Sequence, residues 1–539
     1  MLEINLKSIK ENAAAFKKAG ISLPQFDIDA LRKETFASPI WAHIGPGNLF
    51  RAFHAVLQQT LIEKGLSGKG IIAIAPVNYA EAKALYQKSD NLFLTAVMKA
   101  DGSLEKKIVG SVTEMLAADP ADTASWNRLK TVFASPSLQM VTLAITEKGY
   151  DFKTLTGAIR PEIAAELDKG PEGAGHIMLK LCALLLERYN AGGAPLALVS
   201  TDNFSRNGDK LKAAMLSVAA EWHRLGKVEQ AFLDYIGDKK KVSFPLSMID
   251  KITPLPSERV SKALTDAGIA GMELVKQPNG AVKASFVNTE ESEYLVIEDD
   301  FPNGRPPLEK AGVYFTGAEI VDKVERMKVC TCLNPLHTSL AIFGCLLGFT
   351  SIAEEMEDAG LKALVSKIAY NEGLPVVTDP GIINPAAFVK EVLTVRFPNP
   401  NIPDTPQRIA SDTSQKLSIR FGETIKLYMT ANELDINKLI LIPLVLAAWC
   451  RYLLGIDDDG KSFKLSADPL LAELQPALAG IELGKPETAK GKLKTILSNE
   501  KIFGVNLYAA GLGEKIEGYF AELTAGRGAV RKTLSKYTA

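Results

Sequence analysis

Histidine and cysteine are both scarce in this sequence, with five of each among 539 residues. No two histidines stand at i, i+4 or in an H-E-x-x-H frame. Cys330 and Cys332 form a lone C-x-C, without the second cluster that a four-ligand zinc site requires. Five cysteines in so long a chain also give no disulfide framework. We therefore expect neither a metal centre nor disulfide chemistry.

The sequence also has no excess of either sign of charge and no apolar run long enough to span a membrane. Lys plus Arg number 62 against 63 Asp plus Glu, so no basic field exists to hold nucleic acid or an anionic bilayer. The longest apolar run, at 439–450, contains a proline and is shorter than the roughly 18 to 20 residues that span a membrane, which predicts a buried helix. The N-terminal segment lacks the features of an export signal. We expect a cytoplasmic monomer or small homo-oligomer that acts on a small molecule.

Residues 40–77 have the pattern of a strand, a glycine turn, a helix and a second strand. The apolar run IWAHI at 40–44 stops at a Gly-Pro-Gly turn, which is typical of a buried strand. From Asn48, a good N-cap, apolar residues recur at helical spacing, and GIIAIAPV at 70–77 predicts the next strand. This is about the length of one βαβ unit, so the sequence predicts the start of a Rossmann-like sheet.

The alternation of strand-like and helical segments continues to about residue 255, through apolar runs at 140–145 and 195–200. Beyond residue 305 helical periodicity dominates and strand signals are few. We therefore predict an α/β Rossmann-like NAD-binding domain with an N-terminal extension at 1–305. A mostly α-helical substrate and catalytic domain is predicted at 306–539.

The glycine turn after the first predicted strand is a candidate cofactor site. Gly45 and Gly47 fill the first two positions of G-x-G-x-x-G, which brings backbone amides and a helix N-terminus to a pyrophosphate, while Phe50 stands in the third. Asn78 stands near the place of the acid that would bind the ribose, with no Arg or Lys beside it for a 2′-phosphate. This favours NAD over NADP. An ordinary strand–helix turn is the alternative.

A second polar segment begins at Lys328. Reduction of a ketone needs a proton donor and groups that polarise the carbonyl, which Lys328 and Asn334 would supply. His337, about one helical turn after Asn334, would face the same side and bind a substrate hydroxyl. Asn203 follows a buried-type strand, at the end where ligands of such sheets bind. By themselves, Lys328, Asn334 and His337 fit surface and helix-capping roles more often than catalytic ones, and an Asx turn is an equally good interpretation of Asn203.

Nine segments between residues 43 and 453, in consistent order and spacing, resemble the long-chain polyol and hexuronate dehydrogenase family, which includes mannitol 2-dehydrogenase and the fructuronate and tagaturonate reductases. The segments are HIGPGNLFRAFHA, ITEKGY, STDNFSRNGDKL, FPLSMIDKITP, YLVIEDDFPNGRPPLEKAGV, LNPLHTSLAIFGCLLG, RFPNPNI, IASDTSQKL and LAAWCRYL. No single segment identifies the family, but nine segments in the same order and spacing do.

This resemblance implies a Rossmann-type domain, a helical C-terminal domain, an NAD cofactor and a metal-free mechanism. The family's catalytic lysine, two asparagines and histidine fall on Lys328, Asn203, Asn334 and His337. Its substrate-side residues, with a carboxylate that could relay protons, fall on Asp250, Arg396 and Glu325. Its glycine turn, the helix that follows and its nicotinamide-side loop fall on Gly45, Gly47, Asn48, Phe50, Arg51, Thr146, Glu147 and Gly149.

The spacing departs from the family pattern at one point. Lys328 precedes Asn334 by six residues, one more than the pattern has. On a regular helix one extra residue turns the lysine by about 100°, away from the asparagine and histidine. Two arrangements would keep the lysine in the site: a π-bulge that absorbs the residue, or a lysine placed before the helix begins.

Cationic side chains near the predicted active site indicate which substrates of the family the protein uses. A uronate carries a carboxylate that a cation must meet, and Arg396, with Lys416 or Arg420 nearby in sequence, provides candidates. We therefore expect NAD-dependent interconversion of fructuronate and mannonate, with lysine acid–base catalysis. Tagaturonate reduction and mannitol oxidation are the alternatives within the family. An inactive NAD-binding sensor or scaffold is the alternative of another class.

Overall fold

The computed structural model describes residues 1–152, 158–276 and 282–539. The strands are β1 (Ile21–Ser22), β2 (Trp41–Ile44), β3 (Ile71–Ala75), β4 (Phe93–Met98), β5 (Leu104–Val109), β6 (Val112–Ala117), β7 (Met140–Leu143), β8 (Leu196–Ser200), β9 (Val242–Ser243), β10 (Ser247–Asp250), β11 (Val275–Lys276), β12 (Val282–Lys283), β13 (Phe286–Glu290), β14 (Tyr294–Glu298) and β15 (Tyr314–Thr316).

The α-helices are α1 (Leu6–Glu11), α2 (Ala13–Lys18), α3 (Ile28–Ala37), α4 (Ala55–Glu63), α5 (Tyr79–Gln87), α6 (Thr123–Ala134), α7 (Pro161–Lys169), α8 (Ile177–Asn190), α9 (Asn207–Arg224), α10 (Gln230–Gly237), α11 (Glu258–Asp266), α12 (Ala318–Arg326), α13 (Asn334–Leu347), α14 (Ile352–Glu355), α15 (Ala359–Lys367), α16 (Pro385–Glu391), α17 (Pro406–Ile409), α18 (Glu423–Thr430), α19 (Leu441–Tyr452), α20 (Leu471–Ala477), α21 (Lys494–Leu497), α22 (Glu500–Phe503), α23 (Gly513–Leu523) and α24 (Ala529–Thr538). Turns of π-helix occupy Phe50–His54, Met327–Cys332, Ile368–Gly373, Val392–Arg396 and Ser418–Gly422.

The chain forms two compact units. The first consists of Met1–Lys99 and Ser103–Asp322, and the second of Ala100–Gly102 and Lys323–Ala539. Residues 306–322 belong to the first unit, where β15 pairs with β14. This pairing could not be read from the sequence after residue 305, where helical periodicity dominates.

A six-stranded parallel sheet forms the centre of the first unit, in the order β6-β3-β2-β7-β8-β9. Alternate side chains enter two separate cores, because successive residues of a strand point to opposite faces. Ile72 and Ile74 pack in one core with side chains of α6, α8 and α9, whereas Ile71 and Ala73 pack in the other with side chains of α4. The predicted Rossmann-like α/β fold is confirmed.

Three smaller sheets complete the first unit. The order β1-β5-β4-β13 joins the antiparallel pair β4–β5 to two parallel neighbours, β10-β14-β15 forms a second sheet, and β11–β12 forms a two-stranded ribbon. The sequence analysis does not predict these sheets.

The second unit is built from helices, as the periodicity predicts. Every residue of α19 is buried, in agreement with the apolar run at 439–450. The N-terminus of α19 has no cap of its own. The carboxylate of Glu372 instead accepts hydrogen bonds of 2.7–2.8 Å from the backbone N–H groups of Ile440, Leu441 and Ile442. A carboxylate is stabilising there because the helix dipole places partial positive charge at that end.

The helical stretch Ala318–Leu347 is long and apolar enough to cross a membrane by length and composition alone. However, 83% of its most apolar 18-residue window is buried inside the protein, as in a core helix.

All five cysteines are buried, and none forms a disulfide. Burial raises the pKa of each thiol, to about 11 for Cys330 and to about 12 for Cys332, Cys345 and Cys450, and more for Cys182. These thiols are therefore protonated at neutral pH and weak nucleophiles.

Glu355, in α14, is a fully buried carboxyl group. Neither side-chain oxygen has a hydrogen-bond partner within the described part of the chain, and a Cβ added to Gly344 would lie 1.7 Å from its Oε1. Burial, and then the charge of Asp404, raises the pKa of Glu355 from 4.5 to about 9. Glu355 is therefore protonated at neutral pH in the folded protein and ionised in the unfolded chain.

This difference predicts a pH-dependent stability. Between about pH 5 and 9 the unfolded chain has released this proton and the folded protein has not, so the free energy of unfolding falls by about 1.4 kcal/mol per pH unit from this group alone. Glu355→Gln removes the dependence. In urea titrations, the variant should gain roughly 2–4 kcal/mol relative to the wild type between pH 5.5 and pH 8. Glu357→Gln, at an exposed position, is the control. Parallel pH curves for wild type and Glu355→Gln would contradict the assignment.

Candidate active site

A cleft of about 440 Å³ opens in the first unit at the carboxyl ends of β2, β3 and β7. Ligands of open parallel sheets bind at such ends. Six of the residues with a predicted cofactor-side position line the cleft: Gly45, Gly47, Asn48, Arg51, Thr146 and Gly149.

The glycine turn in this cleft needs glycine at its first position. Gly45 has φ +101°, and an added Cβ would lie 2.1 Å from the carbonyl oxygen of Ala144. Gly47 N–H donates to the Gly45 carbonyl at 2.7 Å, and the helical chain that continues into α4 follows directly. The turn therefore brings backbone close to the cleft at a helix N-terminus, which suits the pyrophosphate of a dinucleotide.

An acidic side chain that the sequence analysis missed also lines the cleft. Asn78 adopts a left-handed conformation with φ 51°, and Glu81, in the first turn of α5, lies on the cleft wall beside Lys283, with which it forms an ion pair. The ribose-binding acid was expected at the end of the strand, where Asn78 stands. The sequence feature that indicates Glu81 is the start of the helix after Asn78, because an acid in the first turn of that helix lies near the strand end.

Two predicted cofactor residues do not line the cleft. Phe50 is fully buried, and its ring stacks on His43 with centroids 4.3 Å apart. Glu147 is exposed, and its carboxylate pairs with Lys210 at 3.2 Å. The structure places Phe50 in the core and Glu147 on the surface.

Asp202 holds the loop that follows β7. Its carboxylate accepts hydrogen bonds from the backbone N–H groups of Ile145 at 3.0 Å and Thr146 at 2.8 Å, and from the Tyr150 hydroxyl at 2.7 Å. Thr146 has φ 67° and ψ 157°, a conformation that β-branched residues avoid. Burial raises the pKa of Asp202, although the three hydrogen bonds oppose that shift. Asp202 therefore stabilises a strained loop in the cleft wall.

Asp202→Asn tests this interpretation. The amide keeps one acceptor but turns an NH₂ group toward a backbone donor, so we expect the free energy of unfolding to fall by about 2–3 kcal/mol. We also expect a fall in kcat/KM of roughly tenfold or more, because the strained loop relaxes. Asp209→Asn, at an exposed position on α9, is the matched control. Unchanged stability and kinetics would show that the loop holds its shape without the carboxylate.

The remaining predicted residues of the first unit occupy two different settings. Asn203 is exposed and follows Asp202 directly after β8. Asp250 is buried at the end of β10, where it pairs with Tyr294 of β14.

In the second unit, Lys328 lies in the π-helical turn Met327–Cys332 and is 4% exposed. The Leu333 N–H bonds to the Lys328 carbonyl at 3.1 Å, and α13 then begins at Asn334, which is half-buried. Both features that the spacing predicts as alternatives are present: Lys328 lies in a π-turn, and it precedes α13, the helix that begins at Asn334. Glu325, on α12, lies one helical turn before the lysine and is half-buried.

His337, on α13, contacts Asp404. Its Nε2 lies 3.0 Å from Asp404 Oδ2, a close contact that lacks the alignment of a hydrogen bond. Burial lowers the pKa of His337 even though Asp404 opposes the shift. Burial alone would raise the pKa of Asp404, but His337 and Arg408, whose Nε donates to it at 2.9 Å, hold it below its ordinary value. Asp404 therefore provides a fixed negative charge beside the imidazole.

Arg396 ends the π-turn Val392–Arg396 and is buried. The next residue, Phe397, places its ring 5.1 Å from that of His337, so this turn lies beside α13.

Arg420 and Lys416 are two half-buried cations of the second unit, and the charge of Arg420 acts on both His337 and Lys416. Arg420 donates to the Thr338 hydroxyl at 2.5 Å, and burial lowers the pKa of Arg420 to about 10. Lys416 donates to the Ser411 carbonyl at 2.6 Å, and burial and then the charge of Arg420 lower the pKa of Lys416. Within the described residues neither side chain forms an ion pair. The charges of Asp412 and Asp468 partly offset that of Lys416, whereas burial is the cause of the lowered pKa of Arg420. A half-buried guanidinium without an ion-pair partner is suited to bind an anion.

Among residues 1–152, 158–276 and 282–539, no group of three or more His, Cys, Asp or Glu side chains could hold a metal ion.

Comparison with known families gives one consistent result. The model of the mannitol dehydrogenase Rossmann domain matches residues 40–310, and that of the mannitol dehydrogenase C-terminal domain matches residues 320–523. The chain belongs to the mannitol dehydrogenase family. The resemblance inferred from the nine segments is confirmed, and so is the prediction of an oxidoreductase.

Individual members are similar over their full length. A D-mannonate oxidoreductase from Thermotoga maritima is 50% identical over 537 residues, which cover 99% of each chain. A mannitol 2-dehydrogenase from Neosartorya fischeri is 30% identical over 99% of each chain. Among solved structures, Pseudomonas fluorescens mannitol 2-dehydrogenase in a ternary complex with NAD and D-mannitol is 27% identical, with a TM-score of 0.70 over 99% of each chain.

Proposed function

We propose that this member of the family interconverts D-fructuronate and D-mannonate with NAD as the hydride carrier. The 50% identity to a D-mannonate oxidoreductase supports a sugar-acid substrate over a neutral polyol. The observation that carries the choice is the half-buried guanidinium of Arg420, which forms no ion pair in the described chain and whose charge acts on the nearby His337.

A sugar acid differs from a polyol by its carboxylate. A carboxylate that enters a buried site must replace its hydration with charged donors, and the guanidinium of Arg420 provides planar, paired donors for that purpose. Lys416 adds a second positive charge, and each cation lowers the cost of burying the anion. A neutral polyol would leave the charge of Arg420 without compensation.

The cleft of the first unit fits a dinucleotide. The Gly45 turn and the helix N-terminus suit the pyrophosphate, and the carboxylate of Glu81 suits the ribose hydroxyls. When bound, the nicotinamide ring supplies the hydride to a ketone or accepts it from an alcohol. The residues of the cleft position the cofactor, and the acid–base chemistry is left to other side chains.

Lys328 is the proposed acid–base group. In the reducing direction its ammonium group gives a proton to the oxygen that becomes the new hydroxyl, and in the oxidising direction its amine takes that proton back. Asn334 donates a hydrogen bond to the carbonyl oxygen, a role that the resemblance also implies for Asn203. His337 binds a substrate hydroxyl, with its ring oriented by Asp404, and Glu325 relays the proton to solvent.

NADH oxidation assayed with D-fructuronate, D-tagaturonate and D-fructose tests the proposal. We expect the highest kcat/KM with fructuronate and little activity with fructose. A preference for fructose would favour a mannitol dehydrogenase, and a preference for tagaturonate would overturn the stereochemical assignment. NADH binding without turnover of any of the three would favour the sensor or scaffold alternative.

A further inference from the structure

Three buried side chains form a hydrogen-bonded chain beneath the glycine turn. The Trp41 indole N–H donates to Thr142 Oγ1 at 2.8 Å, Thr142 Oγ1 lies 2.7 Å from His43 Nδ1, and His43 Nε2 lies 3.2 Å from the Gly45 carbonyl oxygen. His43 on β2 and Thr142 on β7 are paired in the sheet, so their side chains share one face. This chain reaches the cofactor cleft only through the Gly45 carbonyl.

The direction of each hydrogen bond is fixed by chemistry. An indole N–H can only donate, and a carbonyl oxygen can only accept. His43 Nε2 must therefore carry a hydrogen. Burial, and then the neighbouring His54, hold the pKa of His43 well below its ordinary value, so the ring has one proton. His43 Nδ1 consequently accepts from the Thr142 hydroxyl, and the donors run in one direction from Trp41 to Gly45.

A second histidine keeps this arrangement neutral. The His54 ring lies 4.7 Å from the His43 ring, and its Nε2 lies 3.0 Å from Thr201 Oγ1, which itself donates to the Leu143 carbonyl at 2.9 Å. The Thr201 hydroxyl therefore accepts from His54. Burial opposes a proton on either ring, and a proton on one ring would further oppose a proton on the other.

The Gly45 carbonyl controls the shape of the turn. It accepts from both His43 and the Gly47 N–H, while the Gly45 N–H donates to the Ile74 carbonyl at 3.0 Å. These bonds hold the carbonyl toward the buried side of the sheet. If the peptide turned its oxygen into the cleft, that oxygen would repel the phosphate oxygens of a dinucleotide.

We propose that His43 is a positioning residue for the cofactor. In its neutral Nε2–H tautomer, which Thr142 and Trp41 select, it fixes the Gly45 carbonyl away from the pyrophosphate position. The inference rests on the proposed use of a dinucleotide. It assigns no contact between His43 and the cofactor or the substrate.

Two substitutions of His43 by an amide residue distinguish the role of Nε2 from that of Nδ1. The amide nitrogen of His43→Gln can occupy the place of Nε2 and still donate to Gly45, whereas the shorter side chain of His43→Asn matches Nδ1 and retains only the partner for Thr142. In fluorescence titrations of the full-length protein with NADH, we expect Kd to rise about tenfold or more for His43→Asn and no more than about threefold for His43→Gln. At saturating NADH, kcat should stay within about threefold of wild type in both, because neither change reaches the reacting atoms.

Equal Kd values for the two variants, with equal losses of unfolding free energy, would show that His43 is only a core residue and would overturn the proposal.

A second measurement needs neither a variant that folds well nor bound NADH. With only five histidines in the chain, ¹⁵N spectra of histidine-labelled protein should contain a neutral Nε2–H imidazole that does not titrate from pH 5 to pH 9 and is absent from His43→Gln. A charged ring or the other tautomer at this position would also overturn it. Failure of the wild type to bind NADH, with the tautomer as expected, would instead count against the proposed function.

Discussion

Lys328→Ala is expected to lower kcat by about 10²–10⁴-fold, the range for loss of a general acid–base group. The lysine is buried in the π-turn before Asn334, so no side chain of similar reach replaces it from the same turn. The Kd for NADH should change by less than about twofold, because Lys328 does not line the cofactor cleft. Steady-state kinetics with fructuronate and NADH titration measure the two effects separately.

Two controls make the result specific. Lys362→Ala, at an exposed position on α15, should leave kcat unchanged. Added ethylamine should restore part of the activity of Lys328→Ala, because a small amine can occupy the vacated space and transfer the proton. Unchanged turnover in Lys328→Ala would remove the lysine from the mechanism. Loss of activity together with loss of NADH binding would indicate a damaged fold.

Arg420→Met is expected to lower kcat/KM for mannonate by about 10²-fold or more, corresponding to roughly 3 kcal/mol. The substituted side chain keeps most of the apolar volume but leaves the substrate carboxylate without its guanidinium partner. The much lower activity with mannitol should fall by less than about threefold, because mannitol has no carboxylate. The measurement is oxidation of both substrates at saturating NAD.

The matched control is Arg527→Met, at an exposed position in the same unit, which should leave both substrates unaffected. Arg420→Lys should lose less than Arg420→Met, since it retains the charge but not the paired donors. An equal loss for mannonate and mannitol would assign Arg420 a structural role through its hydrogen bond to Thr338 and would argue against carboxylate binding.

Local sequence patterns were sufficient to predict the centre of the first unit. Buried parallel strands are short apolar runs, and β2, β3, β7 and β8 each have that pattern beside glycine turns or amphipathic helices. The mixed sheet could not be predicted in the same way. In that sheet β13 pairs with β4, so Phe286 lies opposite Leu94, and no local pattern specifies a partner so far away in sequence.

In the candidate site, too, features set by neighbouring residues could be predicted, and contacts between distant segments could not. Gly45 could be identified because the conformation of a turn depends on its own residues. Asp202 could not be assigned to Thr146, nor Arg420 to Thr338, because those contacts join segments separated by 56 and 82 residues. The π-turn at Lys328 lies between the two cases: the sequence shows the extra residue, but only the structure shows how the backbone accommodates it.

The buried, protonated thiols have a practical consequence for spectroscopy. Because none of the five native cysteines is accessible, a single cysteine introduced at an exposed position such as Lys362 would be the one site that reacts rapidly with a maleimide dye or spin label. Distance measurements between two such labels would then require no cysteine-free background. Motions of either unit during turnover can thus be followed in a protein that retains its native core.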